Sequence, residues 1–248
     1  MQRAELDSYL EQYLDVARFR DYCPNGLQVE GAPCVERIVT GVTASLELLT
    51  AAIAADAHAV IVHHGYFWRG EDPRVVGVRK RRLSLLLHND LNLYAFHLPL
   101  DAHAEVGNNV SLARVLGLSV EGRCGEQDLV LHGRADADMS VADLAARISQ
   151  RLEREPLVIG DTSRRVKRIA WCTGAAQGFF EDAIRAGADA YISGEISEQT
   201  VHLARESGVA YIAAGHHATE RYGVQALGVH LAQHFAIEHQ HIDILNPV

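Results

Sequence analysis

One pattern occurs twice in this chain, and it restricts the fold more than any other feature. The apolar run Ile38-Val-Thr-Gly-Val-Thr-Ala44 breaks at Thr and Gly, and Ile169-Ala-Trp-Cys-Thr-Gly-Ala175 breaks the same way. A helical stretch follows each, through Leu46, Leu49 and Ile53 in the first copy and Phe180 and Ile184 in the second. Next come Asp56-Ala-His-Ala-Val-Ile-Val-His63 and Gly187-Ala-Asp-Ala-Tyr-Ile-Ser193, whose short β-rich runs Ala59–Val62 and Ala190–Ser193 read as buried strands. A third element recurs as Leu91-Asn-Leu-Tyr-Ala-Phe-His97 and Val209-Ala-Tyr-Ile-Ala-Ala-Gly-His216. A duplicated strand–helix–strand–helix–strand order predicts an α/β protein: two similar βαβ-type lobes with mainly parallel sheets, related as an internal pseudo-repeat. The functional loops belong at the carboxyl ends of the strands.

The expected division is a first lobe of residues 1–125 plus 209–248, carrying most of the candidate ligands, and a second lobe of residues 126–208 inserted into it. The last forty residues, ending in the strand-like His241-Ile-Asp-Ile-Leu245, rejoin the first lobe. The stretch Leu129–Ile159, helical over Asp143–Leu152, is expected at an edge of the second. Met1–Arg20 mixes Glu5, Asp7, Glu11 and Asp15 with apolar positions, which suits an amphipathic helix rather than a signal peptide. No run of about 18 apolar residues exists, so the expectation is a cytoplasmic protein without a membrane partner. Cys23, Cys34, Cys124 and Cys172 lie far apart with no C-x-x-C pair, as reduced structural cysteines do.

Three segments carry the chemistry. An apolar strand ends in Val62-His63-His64-Gly65, and adjacent side chains at a strand end leave in different directions, so the pair suits two metals better than one. His97-Leu-Pro-Leu-Asp101 and Gly215-His216-His217-Ala-Thr219-Glu220 each place a histidine at a strand end and a carboxylate four residues later, at equivalent positions of the two copies. Imidazole and carboxylate together suit a hard or borderline divalent ion, and two ions in one pocket need a bridging carboxylate. The assignment is His64 with Asp101 on one ion, His63 with His216 on the other, and Glu220 as bridge. His97 is the acid–base candidate, and His217 a structural or orienting residue. The ions themselves are two divalent metals per chain, with zinc, manganese, iron, cobalt and nickel all compatible. Of the fourteen histidines, His132, His202, His230, His234, His239 and His241 sit in segments that read as ordinary surface.

Other chemistries find no support. There is no G-x-x-x-x-G-K-[ST] phosphate loop and no G-x-S-x-G nucleophile elbow. A net charge of -9 predicts no general attraction to nucleic acid, and Arg79-Lys-Arg-Arg82 reads as the polar face of a helix leading into Leu83–Leu87. Tyr66-Phe-Trp68, after the histidine pair, offers a stacking platform for a planar substrate or a packing surface.

Taken together, Asn25-Gly-Leu-Gln-Val-Glu-Gly31, Thr40-Gly-Val-Thr-Ala44, Ile61-Val-His-His-Gly65, His97-Leu-Pro-Leu-Asp-Ala-His103, Ile192-Ser-Gly-Glu195 and Gly215-His-His-Ala-Thr-Glu220 resemble the NIF-three-like family. The chain is most similar to its compact bacterial YbgI type, whose members go by the name GTP cyclohydrolase 1 type 2 homolog. The resemblance covers nearly the whole length. It implies a dinuclear metal centre on His63, His64, Asp101, His216 and Glu220, two similar α/β lobes, and a ring-shaped homohexamer. The expected function is a metal-dependent hydrolase acting by metal-activated water on a small-molecule substrate of cyclic amide, purine or pterin type. The alternative is a non-catalytic metal-dependent binding or regulatory protein, with DNA the candidate partner through the Arg79–Arg82 run.

Overall fold

The computed structural model describes residues 1–248. In chain order its elements are α1 (Arg3–Tyr13), β1 (Gly26–Val29), β2 (Arg37–Thr43), α2 (Leu46–Ala54), β3 (Ala59–His64), α3 (Gly77–His88), β4 (Asn92–Ala95) and α4 (Leu98–Ala102). There follow α5 (Asn108–Leu116), β5 (Leu118–Cys124), β6 (Val130–Ala135), β7 (Met139–Ser140), α6 (Val141–Leu152), β8 (Leu157–Ile159), β9 (Arg165–Val166) and β10 (Ile169–Trp171). The chain ends with α7 (Phe180–Arg185), β11 (Ala190–Ser193), α8 (Glu198–Ser207), β12 (Ala210–Ala213), α9 (His216–Phe235) and β13 (Glu238–His241). None of these helices is long and apolar enough to cross a membrane.

Two compact units emerge: Met1–Gly107 with Gly223–Leu245, and Asn108–Tyr222 with Asn246–Val248. The first unit holds a five-stranded sheet in the order β1-β4-β3-β2-β13. Its four strands β4, β3, β2 and β13 run parallel, and only β1 is antiparallel, on β4. Short, fully buried Val and Ile runs such as Val60-Ile-Val62 form these strands because a parallel sheet is covered on both faces. One face packs on Leu6 and Leu10 of α1 and on Val224, Leu227 and Leu231; the other packs on Leu48, Leu49 and Leu86. Helix α2 starts where the Ser45 side chain accepts the Leu48 N–H at 3.1 Å, an N-cap that stops β2 from continuing.

The second unit's sheet runs β5-β6-β10-β11-β12-β8. Here β10, β11 and β12 are parallel, repeating the strand–helix order of β2, β3 and β4, whereas β5, β6 and β8 join antiparallel. This sheet is therefore mixed rather than mainly parallel. A short turn through Gly125 links β5 to β6, and only antiparallel neighbours accept so short a link. Its core contains Trp171, Ile192, Ile212, Leu144 and Ile148. Helix α6 begins with a capping box, in which Ser140 and Asp143 satisfy each other's backbone N–H groups.

The boundaries differ from the sequence expectation of 1–125 plus 209–248 against 126–208. Residues 108–125 belong with the second unit, since β5 pairs with β6 from Leu118↔Ala135 to Cys124↔Val130 and Leu112 and Leu116 enter the Trp171 core. Residues 209–222 also stay there, because β12 pairs with β11 from Ala190↔Ala210 onward. Hydrophobic patterning marks a strand without naming its neighbour, which is why these segments were misplaced. The last strand is likewise displaced, from the expected His241–Leu245 to Glu238–His241. Ala236, at φ 53, turns the chain straight after α9, so that Glu238 already faces Arg37 and ion-pairs with it at 2.6 Å.

Gly133 exposes how tightly β5 and β6 approach. A Cβ there would stand 1.7 Å from the Ser119 carbonyl oxygen, whereas one on Gly178 would meet nothing within 4 Å. Overpacking of this kind costs about 1–3 kcal/mol. Gly133→Ala is expected to lower stability in urea unfolding by that amount, with Gly178→Ala close to wild type; equal stability of the two variants would contradict the β5–β6 register.

Candidate metal centre

In the first unit the sheet delivers four side chains to the carboxyl ends of its parallel strands. His63 and His64 close β3, the first fully buried and the second half-buried. His63 Nδ1 lies 2.9 Å from the Phe96 carbonyl oxygen, which can only accept, so Nδ1 carries a proton and Nε2 is the ring atom turned to its other neighbours. That Nε2 stands 3.5 Å from Oδ1 of Asp101, a carboxylate only 6% exposed. The separation is long for a hydrogen bond. It suits two ligands that share one ion at about 2.0–2.2 Å each. Asp101 is placed by the single turn α4, which starts at Leu98-Pro99 and whose Asp101 N–H donates to the His97 carbonyl at 3.1 Å. His64 Nδ1 is 3.2 Å from Thr43 Oγ1, on the neighbouring strand end.

His97 is held differently. Its Nδ1–H donates to Asp21 Oδ1 at 2.7 Å, and its backbone N–H donates to Asn25 Oδ1 at 2.7 Å. Asp21 Oδ2 accepts from the Asn25 amide and from the Leu98 N–H, each at 2.9 Å. Burial works against charge on Asp21, but the His97 hydrogen bond and attraction, with the Asn25 and Leu98 bonds, outweigh it and hold the carboxyl at about 2 instead of 3.8. With Nδ1 committed, Nε2 is the atom of His97 left for proton exchange or ligation. The ligand nitrogens of His63, His64 and His97 all lie within 4.8 Å of one another. Cys23, which forms a similar group with Asp21 and His97, is pushed up to about 12 by burial and by the Asp21 charge, and so remains a thiol.

In the second unit His216 and Glu220 open α9, four residues apart on one helix face. His216 Nε2 is 3.1 Å from Glu220 Oε2, and His216 Nδ1 is 2.7 Å from Glu195 Oε1. Burial alone would lower the imidazole, but Glu220 and then Glu195 overcome it and raise His216 to about 9. Glu220 itself is 2% exposed. Gly174, at the end of β10 and at φ +67, makes room for it: a Cβ there would stand 2.0 Å from Glu220 Oε1 and 3.2 Å from His216 Nε2. The Gly174 N–H donates to Thr219 Oγ1 at 3.0 Å, and its carbonyl accepts from the Gly194 N–H at 2.8 Å and Ser193 Oγ at 3.1 Å. The ends of β10 and β11 are thereby locked to the first turn of α9.

The expected site residues thus fall into two sets: His63, His64, His97 and Asp101 in the first unit, and His216 and Glu220 in the second. Asp101 stands beside His63 Nε2, and His64 Nδ1 lies beside Thr43. His217 donates its N–H to the carboxy-terminal Val248 carbonyl at 3.0 Å. The surface histidines His239 and His241 prove to share the buried Thr40 hydroxyl, at 2.9 and 3.0 Å. The spacing of His and carboxylate residues does not single out Asp21, Thr43, Gly174 or Glu195. Thr43, Gly174 and Glu195 lie within recurring or family-like motifs, but no spacing rule links Asp21 to a histidine 76 positions away.

Fold and site define an α/β protein whose parallel-strand ends carry His/Asp/Glu clusters of metal-ligand type. The chain belongs to the Duf34/NIF3 (NGG1p interacting factor 3) family, whose model matches residues 1–247. It is 60% identical over 240 residues to a Pseudomonas aeruginosa protein named GTP cyclohydrolase 1 type 2 homolog, covering 96% of this chain and 95% of that one. An Escherichia coli protein of the same name is 51% identical, with both chains fully covered. Among solved structures, one described as protein ybgI, unknown function, superposes with a TM-score of 0.97 at 51% identity over all of both chains. A Thermus thermophilus protein does so with a TM-score of 0.90 at 35% identity, again over all of both chains.

The Asp21 hydrogen bonds make a pH prediction. A lowered carboxyl contributes stability that is present above the unfolded value near 3.8 and is lost as pH falls through the folded value of about 2. Asp21→Asn should cost about 2 kcal/mol near neutral pH, with the gap to wild type closing between pH 4 and 2. A gap that persists unchanged at the acid end would contradict an ionised Asp21 held by these hydrogen bonds.

Proposed function

We propose that the two sets of ligands form one dinuclear centre serving a metal-dependent hydrolase. His63, His64, Asp101, His216 and Glu220 are the residues that would hold the ions. The observation that carries this reading is the 3.5 Å approach of His63 Nε2 to Asp101 Oδ1, two buried groups of ligand type set at ligand spacing. The second set supports it. With its Nδ1 on Glu195, His216 has the carboxylate–histidine arrangement that orients an imidazole and raises its basicity towards a metal at Nε2. All five ligand atoms are nitrogen or oxygen, a donor set that fits zinc, manganese, iron, cobalt or nickel.

When bound, a pair of divalent ions supplies a water activated near neutral pH and a counter-charge for the attacked group. The chain's own residues do the remainder. Asp21 fixes His97 with Nδ1 protonated, which presents Nε2 as the group that takes up or returns a proton. The substrate class is a cyclic amide, purine or pterin, in keeping with the name that the relatives carry. The resemblance also motivates a homohexameric ring and a cytoplasmic setting as parts of the proposal.

Metal content by plasma mass spectrometry, on protein purified without chelator or affinity nickel, tests the centre. Wild type is expected to hold about two equivalents per chain, and Glu220→Ala to lose at least half. Gly174→Ala should behave like Glu220→Ala, since its methyl group occupies the place of the Glu220 carboxylate. Near-zero metal in the wild type overturns the centre. Metal retained without turnover on any cyclic amide, purine or pterin would instead favour a metal-dependent binding protein.

A further inference from the structure

Trp68 stands beside the histidine pair although no metal needs it there. Its indole meets His97 edge-to-face, with ring centroids 4.9 Å apart and planes at 84°, and lies 6.0 Å from His64. The side chain is half-buried, and its N–H makes only a long 3.3 Å contact with the Gly65 carbonyl. The chain reaches it through Phe67, whose φ of 65 is one that a bulky residue adopts only where its surroundings enforce it. Phe67 is itself 40% exposed, so burial of its own ring does not offset that conformation.

What enforces it is a set of ties to the segment that positions His97. The Gln28 side chain accepts the Tyr66 N–H at 2.7 Å and donates to the Tyr66 carbonyl at 3.1 Å and the Pro24 carbonyl at 2.8 Å. The Arg69 N–H donates to the Tyr22 carbonyl at 2.7 Å, and its guanidinium to the Asp21 carbonyl at 3.1 Å. Tyr66 anchors the other end, its hydroxyl donating to the Ala44 carbonyl at 2.7 Å. The outcome of all these bonds is the placement of one indole against His97 and His64. An edge-to-face contact with one imidazole covers only part of an indole, and its remaining π-surface suits another flat ring.

We infer that Trp68 is the wall on which a planar, fused heteroaromatic ligand stacks, and that residues 65–69 select such rings over saturated cyclic amides. The inference rests on the proposed centre for the location of the reacting end and narrows its substrate class. Trp68 and Trp171 are the chain's two tryptophans, and Trp171 is fully buried, so the exposed-indole emission reports Trp68. Protein whose two metal equivalents have been verified is titrated with guanosine, with a pterin, and with a saturated lactam as control.

The expected result is saturable quenching of the exposed-indole emission by the two planar probes and none by the lactam. Trp68→Leu should weaken planar-probe binding about ten-fold in equilibrium dialysis, the worth of one stacked base, with metal content unchanged. Trp68→Phe, which keeps a π-face, should recover most of that affinity. Absence of saturable quenching in the wild type, or equal planar-probe binding by wild type and Trp68→Leu, overturns the inference and leaves the metal centre standing. Loss of metal from the wild type, seen before any probe is added, overturns the centre instead.

Discussion

Two buried polar groups held face to face, His63 Nε2 and Asp101 Oδ1, set the terms for the first unit. His63 is fully buried and Asp101 almost as deeply, so a carboxylate charge there calls for a proton on His63 or a cation beside it. The surroundings hold the two groups in place. The Phe96 carbonyl prevents His63 from presenting its other nitrogen, and the turn after Pro99 prevents Asp101 from withdrawing. In the proposed centre this arrangement would aim both ligands before the ion arrives.

The second unit meets the same problem with a different placeholder. His216 lies between two carboxylates, and their attraction keeps its proton to about pH 9. A divalent ion at Nε2 would take over the role of that proton while Glu195 kept the one on Nδ1. Gly174 is the steric condition for this arrangement, since any side chain there displaces Glu220. Its own backbone is in turn tied to Thr219, Ser193 and Gly194, so the ends of β10 and β11 and the start of α9 hold the carboxylate as one piece.

Much of this was legible in the sequence, and the reasons differ from residue to residue. The strands β3, β11 and β12 are short β-branched or aromatic runs that stop at His, Ser-Gly or Gly-His, so both their existence and their chemical ends could be read. The five candidate ligands followed from two matching His-x-x-x-carboxylate spacings and one adjacent pair. Pairing partners could not be read, because a strand's hydrophobic pattern is blind to its neighbour. Hence the pattern alone does not put β5 and β12 in the second unit, where their pairing with β6 and β11 places them. Asp21 was invisible for the same reason: its hydrogen bonds to His97 and Leu98 come only when the segment before β1 folds beside β4.

X-ray absorption spectroscopy on the metal-loaded protein reads the ligand set at the ions themselves. A dinuclear centre on these residues gives a first shell of nitrogen and oxygen only at about 2.0–2.2 Å, the multiple-scattering signature of imidazole, and a metal–metal vector of about 3.5–4 Å. Sulfur in the first shell, or isolated ions with no metal–metal scattering at full occupancy, would contradict it.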